Sequence, residues 1–143
     1  MNATPVSILL VEDNAADVFI VREALQAEGI QNKLFVVPDG EKAMEFIRSA
    51  EMKDDAPFPH IILLDLNLPR RSGAEVLLRI TQSSRFQGVP VVIVTSSDAP
   101  ADREETKRLG ARRYFVKPRD LDEYLKLGGV VRDVLEEDGV HAV

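Results

Sequence analysis

Five short apolar runs, separated by stretches of helical length, constrain the fold of this sequence more than any other feature. Several of the runs consist of apolar, β-branched residues throughout, which is typical of strands that are covered on both faces. We therefore expect five strands in a largely buried sheet. The runs are residues 6–11, 34–37, 61–64, 89–94 and 114–116.

The stretches between the runs predict helices. Gly29 and Gly110 follow two of them, in the position of a C-terminal cap. Strands that alternate with helices form βαβ units with right-handed crossovers. The pattern therefore predicts an α/β fold, with a doubly wound parallel sheet and helices on both faces. The expected helices are residues 15–28, 41–50, 74–83, 101–109 and 121–137.

Length and composition narrow the classes of protein. The chain has 143 residues, enough for one domain, and we expect residues 1–143 to form it without an effector domain. It has no cysteine and only two histidines, which excludes disulfide scaffolds and zinc clusters. A net charge of −6 disfavours nucleic acid as a partner. No apolar segment predicts a membrane span or a signal peptide, so we expect a cytoplasmic protein.

Polar residues that can carry chemistry follow the strands. Glu12 and Asp13 follow the first run, Asp65 the third, Thr95 the fourth and Lys117 the fifth. In a parallel sheet these positions meet beyond the carboxyl ends of the strands, where ligands bind. Three carboxylates there would repel one another unless a cation or a proton offset their charge. An all-oxygen set with spare water positions suits Mg²⁺.

This set predicts phosphoryl chemistry. With the metal in place, one aspartate can attack a phosphoryl donor, while the lysine and the hydroxyl stabilise the phosphoryl oxygens. Taken singly, each residue has a simpler explanation. Asp13 and Asn14 could cap the first helix, Thr95 could be a turn hydroxyl and Lys117 a solvated lysine. It is their joint placement at one sheet edge that favours a functional site.

The ordered set resembles the receiver domain of two-component response regulators, from Ile8 to about Leu135. It consists of Glu12-Asp13, then Asp65 within Leu-Leu-Asp-Leu-Asn-Leu-Pro, then Thr95 and finally Lys117-Pro118. The resemblance implies a flavodoxin-like strand order of 2-1-3-4-5. It also implies a phosphoprotein that signals through contact with other proteins, at the face of the fourth helix, the fifth strand and the fifth helix, and that is not an enzyme acting on other substrates.

The roles carried by the resemblance follow the positions. Asp65 looks like the aspartate that accepts a phosphoryl group from a histidine kinase. Glu12, Asp13 and Asp65 look like the Mg²⁺ ligands, with the backbone carbonyl of Asn67 as a further ligand. Thr95 and Lys117 match the switch hydroxyl and the phosphate-pairing lysine. Tyr114 matches an aromatic switch, although an ordinary half-buried tyrosine of an edge strand would look the same. The Lys117–Pro118 bond is usually cis in this family.

A narrower resemblance concerns the subgroup. Leu10-Val-Glu-Asp-Asn14 followed by Asp17, together with a long loop over 51–59, is similar to stand-alone regulators associated with phytochrome-type histidine kinases. The segments 96–100 and 70–72 depart from the usual pattern on either side of the site. Such departures bear on the dephosphorylation rate and on the choice of partner.

The apolar residues of the last predicted helix allow two interpretations. One stripe serves the core, and Leu127 and Val130 form an adjoining face that would pack against a second copy, which predicts a homodimer. Gly128 and Gly129 weaken this helix by about 1 kcal/mol each relative to alanine.

Three other functions compete with the receiver interpretation. A Mg²⁺-dependent phosphatase or phosphotransferase with an aspartyl intermediate commonly has an acid two residues after the nucleophile, where this chain has Asn67. A flavodoxin-like cofactor binder needs a glycine-rich phosphate loop, and Glu12-Asp13 would repel a phosphate there. A structural module that has lost phosphorylation would not need the whole set of acids, hydroxyl and lysine.

Overall fold

The computed structural model describes residues 4–141 and contains one five-stranded sheet. All neighbouring strands are parallel, and their order is β2-β1-β3-β4-β5, which confirms the predicted fold class and strand order. The strands are β1 (Val6–Val11), β2 (Asn32–Val37), β3 (Ile61–Leu64), β4 (Val91–Thr95) and β5 (Arg113–Val116).

Helices cover both faces of the sheet. Alternate residues of β1 point to opposite sides, so Ile8 and Leu10 lie in one core cluster and Leu9 and Val11 in the other. The first cluster is closed by α1, α5 and α6, and the second by α2 and α3. The helices are α1 (Ala15–Ala27), α2 (Gly40–Met52), α3 (Gly73–Thr81), α4 (Pro100–Arg108), α5 (Leu121–Leu125) and α6 (Leu127–Glu137), with a 3-10 turn at Ser84–Phe86.

The last predicted helix is two helices, and the single span over 121–137 is therefore wrong. The chain tightens at Lys126, whose N–H donates to the carbonyl of Glu123 and whose carbonyl accepts from the N–H of Gly129. Both bonds span three residues rather than four, which is the spacing of a 3-10 turn. This turn separates α5 from α6.

The prediction that Leu127 belongs to a second apolar face of that helix, free to pack against another copy, is also wrong. Its side chain is fully buried among α1 and the sheet, and Val130 is half-buried against the same cluster. Both residues therefore pack within the domain. Gly128 is buried as well. A Cβ atom at this position would collide with the backbone carbonyl oxygen of Ala24 in α1. The glycine permits the close approach of two helices.

Candidate functional site

The carboxyl ends of the neighbouring strands β1 and β3 bring the predicted acidic residues together. Val11 of β1 pairs with Leu64 of β3, so the residues that follow them, Glu12 and Asp65, emerge at the same level. Glu12 and Asp65 are only 2% and 5% exposed. Asp13 is exposed, and its carboxylate lies within 4.8 Å of the other two. The structure therefore forms the three-carboxylate cluster that the strand ends predict.

Asn14 and Asp13 have different roles, because only Asn14 caps the first helix. Asn14 is the N-cap of α1, since its side-chain oxygen accepts a hydrogen bond from the N–H of Asp17 at 3.0 Å. Its own N–H donates to Glu12 at 3.1 Å and helps to orient that carboxylate. Asp13 is not the cap, and its carboxylate remains part of the acidic cluster.

Lys117 lies at the centre of the site. Its ammonium donates to Glu12 at 2.6 Å, to Asp65 at 2.9 Å and to Asp17 at 3.1 Å. Burial opposes the charge of Lys117, but the hydrogen bonds to Asp65 and Glu12 more than offset that effect, so its pKa is raised. Lys117 is therefore a positive charge fixed beside Asp65 and not a solvated surface lysine.

Glu12 has a markedly altered acidity. Burial raises its pKa to about 7, although the hydrogen bond from Lys117 acts in the opposite direction. The nearby charge of Asp65 raises it further. Burial therefore favours the protonated form of Glu12, and a proton there also lowers the repulsion from Asp65.

Two residues at this site are missing from the set that the strand ends predict. Asp17, in the first turn of α1, accepts from Lys117 through one carboxylate oxygen and from the Tyr124 hydroxyl through the other, at 2.9 Å. Tyr124 is a buried residue of α5. Burial and the hydrogen bond to Asp17 raise the pKa of Tyr124. Asp17 belongs to the sequence pattern that carries the narrower resemblance. For both residues position is a further signal, because each lies in the first helix after a strand end that carries a site residue.

Thr95 and Tyr114 lie on the side of the site that leads to α4. Thr95 ends β4 and is completely buried, and its hydroxyl oxygen accepts from the N–H of Ser97 at 3.4 Å. The hydroxyl of Tyr114 donates to the carbonyl of Ser97 at 2.8 Å. The guanidinium of Arg103 lies 4.6 Å from the centre of the Tyr114 ring. Burial raises the pKa of Tyr114. Both predicted switch residues thus meet the same loop.

The loop after β3 carries Asn67 and Gly73. The N–H of Asn67 donates to Asp65 at 3.1 Å, so this residue orients the carboxylate. A Cβ atom on Gly73 would collide with the carbonyl oxygen of Asp65, which explains the glycine at the start of α3. The described residues contain no cis peptide bond, so the bond between Lys117 and Pro118 is trans here, in contrast to the family's usual form.

The acidic cluster fits a hard divalent cation. Its ligands are all oxygens, two of the three carboxylates are buried, and the buried pair is offset by a single ammonium. Mg²⁺ is a cation of this kind, with a preference for carboxylate and water ligands. Glu12, Asp13 and Asp65 are the residues that would hold it, and the backbone carbonyl of Asn67 stays a predicted further ligand.

Comparison with known proteins identifies relatives of the whole domain. Residues 8–127 match the family model described as the response regulator receiver domain. The chain is 38% identical to Response regulator Rcp1 of Synechocystis over 123 residues, which cover 86% of this chain and 84% of Rcp1. None of the helices within residues 4–141 has the length and apolarity of a membrane span.

Solved structures agree in fold. The phosphorylated cyanobacterial phytochrome response regulator RcpA superimposes with a TM-score of 0.84 at 32% identity, over 94% of this chain and 96% of its own. The Mn²⁺-bound form of Rcp1 gives 0.82 at 38% identity, over 92% and 96%. The receiver domain of the sensor histidine kinase PA1611 from Pseudomonas aeruginosa, with magnesium in its active-site cleft, gives 0.72 at 27% identity, over 93% and 99%.

Proposed function

Because the chain belongs to the response regulator receiver family, we propose that it accepts a phosphoryl group on Asp65 from a histidine kinase, in a reaction that requires Mg²⁺. The observation that carries this proposal is the contact of Lys117 with Asp65 at 2.9 Å beside Glu12 and Asp13. One buried carboxylate, one fixed ammonium and a cluster suited to a divalent cation are the groups that phosphoryl transfer to an aspartate needs.

In the proposed step, a carboxylate oxygen of Asp65 attacks phosphorus and the phosphorus–nitrogen bond to the donor imidazole breaks. The leaving imidazole takes up a proton from solvent water. Asn67 and Lys117 orient Asp65 through its two oxygens, at 3.1 and 2.9 Å. Mg²⁺, when bound, would offset the charge of the carboxylates and of the phosphoryl oxygens. Lys117 then pairs with the phosphoryl group, because its ammonium already lies beside the attacking residue.

We further propose that the signal leaves through the face formed by α4, β5 and the α5–α6 pair. A phosphoryl group adds charge and acceptor oxygens next to the buried hydroxyl of Thr95. Thr95 and Tyr114 both contact Ser97, so a shift of Thr95 reaches the entry of α4 and the outer strand β5. The output would be contact with another protein in the cytoplasm.

The source of the phosphoryl group is proposed from the relatives. RcpA is described as a phytochrome response regulator, and this chain covers 96% of it. We therefore propose a phytochrome-type histidine kinase as the donor. A homodimer remains a prediction, without the support of Leu127, and light scattering with and without a phosphodonor would reveal it as twice the mass of one chain.

The decisive variant is Asp65→Asn. Wild-type protein incubated with Mg²⁺ and a small acyl phosphate should gain the mass of one phosphoryl group, and Asp65→Asn should not. Asp55→Asn removes an aspartate from an exposed loop and should behave as wild type. Labelling of Asp65→Asn at the wild-type rate would contradict the assignment, as would labelling that persists in EDTA.

The competing enzyme function is tested by turnover. Asn67 is exposed and stands where an aspartyl phosphatase has its acid, so this chain has no proton donor at that place. We expect one phosphoryl group per chain followed by self-dephosphorylation. Repeated hydrolysis of small phosphoesters by wild-type protein, lost in Asp65→Asn, would establish the enzyme instead.

A further inference from the structure

Asp17 has no part in the proposed reaction, yet it contacts the lysine on which that reaction depends. An ammonium has three N–H donors, and those of Lys117 are matched by three carboxylates, from Glu12, Asp65 and Asp17. Among residues 4–141, the acidic group close enough to share an ion comprises Glu12, Asp13 and Asp65 and does not include Asp17.

Because Asp17 lies outside the candidate metal ligands, it is the partner that Lys117 can keep when a metal ion binds. In the proposed function, the oxygens of Glu12 and Asp65 are needed as metal ligands, and Asp65 also becomes the phosphoryl carrier. Asp17 is the one partner of Lys117 that neither role consumes. Its carboxylate is therefore available to hold the ammonium before and after phosphoryl transfer.

Asp17 is itself held by the helix on the other side of it. The Tyr124 hydroxyl donates to one oxygen of Asp17 at 2.9 Å, and Lys117 donates to the other at 3.1 Å. Tyr124 is buried, and its ring centre lies 6.0 Å from that of Phe115 in β5. With both oxygens bound, the carboxylate cannot rotate without losing a hydrogen bond.

We propose that Asp17 and Tyr124 form a positioning pair, which holds the Lys117 ammonium beside Asp65 and links the phosphorylation site to α5. The proposal rests on the proposed phosphoryl transfer to Asp65. Neither residue touches the reacting atoms, so both act through Lys117. When Lys117 moves toward a phosphoryl group, it pulls on Asp17, and Tyr124 passes the change to the start of the last two helices.

The test measures phosphorylation by a small acyl phosphate at saturating Mg²⁺. Asp17→Asn keeps the shape of the side chain and removes its charge. We expect a rate about tenfold lower, because Mg²⁺ then engages Glu12 and Asp65 and no carboxylate is left to hold the Lys117 ammonium in place. Tyr124→Phe removes only the hydroxyl and should lower the rate about threefold. Glu23→Gln removes an exposed carboxylate from the same helix and should leave the rate unchanged.

A second readout separates positioning from general stability. The side-chain NMR signal of Lys117, assigned through its loss in Lys117→Arg, is recorded with Mg²⁺ and beryllofluoride, which imitates a phosphoryl group. We expect this signal to move in Asp17→Asn and in Tyr124→Phe and to stay in place in Glu23→Gln. A purely structural role would lower the melting temperature without moving the signal.

The outcomes separate a failure of the positioning pair from a failure of the proposed function. If wild-type protein takes no phosphoryl group, the proposed function fails, while the Lys117 signal still tests the pair. If wild-type protein is phosphorylated and Asp17→Asn reacts as fast as Glu23→Gln, the positioning pair is refuted. Should Asp17→Asn not fold, Tyr124→Phe decides, and an unchanged rate together with an unchanged signal overturns the proposal.

Discussion

Replacing Gly128 with alanine tests how closely α6 approaches α1. A Cβ atom at this position would collide with the carbonyl oxygen of Ala24 and lie 3.0 Å from the Cβ of Glu28. The obstacle is backbone and not the end of a flexible side chain. It cannot withdraw easily, because Ala24 and Leu25 are fully buried in the core beneath it. The helices must therefore separate.

Two effects of opposite sign set the magnitude. Alanine is a better helix former than glycine by about 0.5–1 kcal/mol. Overpacking of a well-filled interior typically costs about 1–3 kcal/mol. Because the clash at Gly128 is severe, the second effect dominates, and we expect Gly128→Ala to lower the free energy of unfolding by about 1–2 kcal/mol.

Gly129 provides a matched control in the same helix. The nearest atom to a Cβ at Gly129 is a carboxylate oxygen of Glu28, at 4.0 Å, so alanine fits there without strain. Gly129→Ala should raise the free energy of unfolding by about 0.5–1 kcal/mol. Urea unfolding followed by circular dichroism would measure both variants, with equal m-values as the check on two-state behaviour. Equal shifts of one sign in the two variants would refute the close approach.

Two further predictions concern Glu12 and Arg70. Burial raises the pKa of Glu12 from 4.5 to about 7. The stability that the proton of Glu12 adds is therefore complete below pH 4.5, and it falls by up to about 3 kcal/mol as the pH rises through 7. Urea unfolding in EDTA should show this fall in wild-type protein and not in Glu12→Gln. Arg70 has a φ of 72°, its side chain is exposed, and its ion pairs are 3.9 Å long, so Arg70→Gly should stabilise the protein by about 1 kcal/mol in the same assay. A loss of stability would show that the pairs to Asp39 and Glu41 outweigh the strain.

The sheet could be predicted because each strand contains a run of apolar residues, but the ends of the strands follow different rules. β2 begins at Asn32, two residues before its apolar run, since it is an edge strand whose polar start faces solvent. β4 begins only at Val91, because the N–H of Val89 bonds to the carbonyl of Phe86 and belongs to the preceding turn. Hydrophobicity predicts which segments pair, whereas hydrogen bonds decide where pairing starts.

The break at Lys126 could not be read from the apolar pattern. Leu125, Leu127 and Val131 continue a stripe that one straight helix would also present. The break depends on a tertiary contact, since Gly128 must lie against Ala24 on another helix. The apolar pattern of a sequence shows which residues need to be buried. It does not show from which side a neighbouring helix packs against them.

The site likewise has one part that could be predicted from the sequence and one part that could not. Glu12, Asp65, Thr95 and Lys117 are brought together by the sheet, and strand ends in a parallel sheet can be located from sequence. Asp17 and Tyr124 meet across 107 positions of sequence, through the packing of α1 on α5. Their contact depends on helix rotation, which the apolar spacing defines only coarsely.

The excess of negative charge ties the acidity of Glu12 to metal binding. A proton on Glu12 and a divalent cation near it offset the same carboxylate charge, so one tends to displace the other. Binding of Mg²⁺ should therefore release protons as the pH falls below the raised pKa of Glu12, and its apparent affinity should rise with pH over that range. Lys117 does not remove this coupling, because one ammonium shared among three carboxylates leaves most of their charge uncompensated.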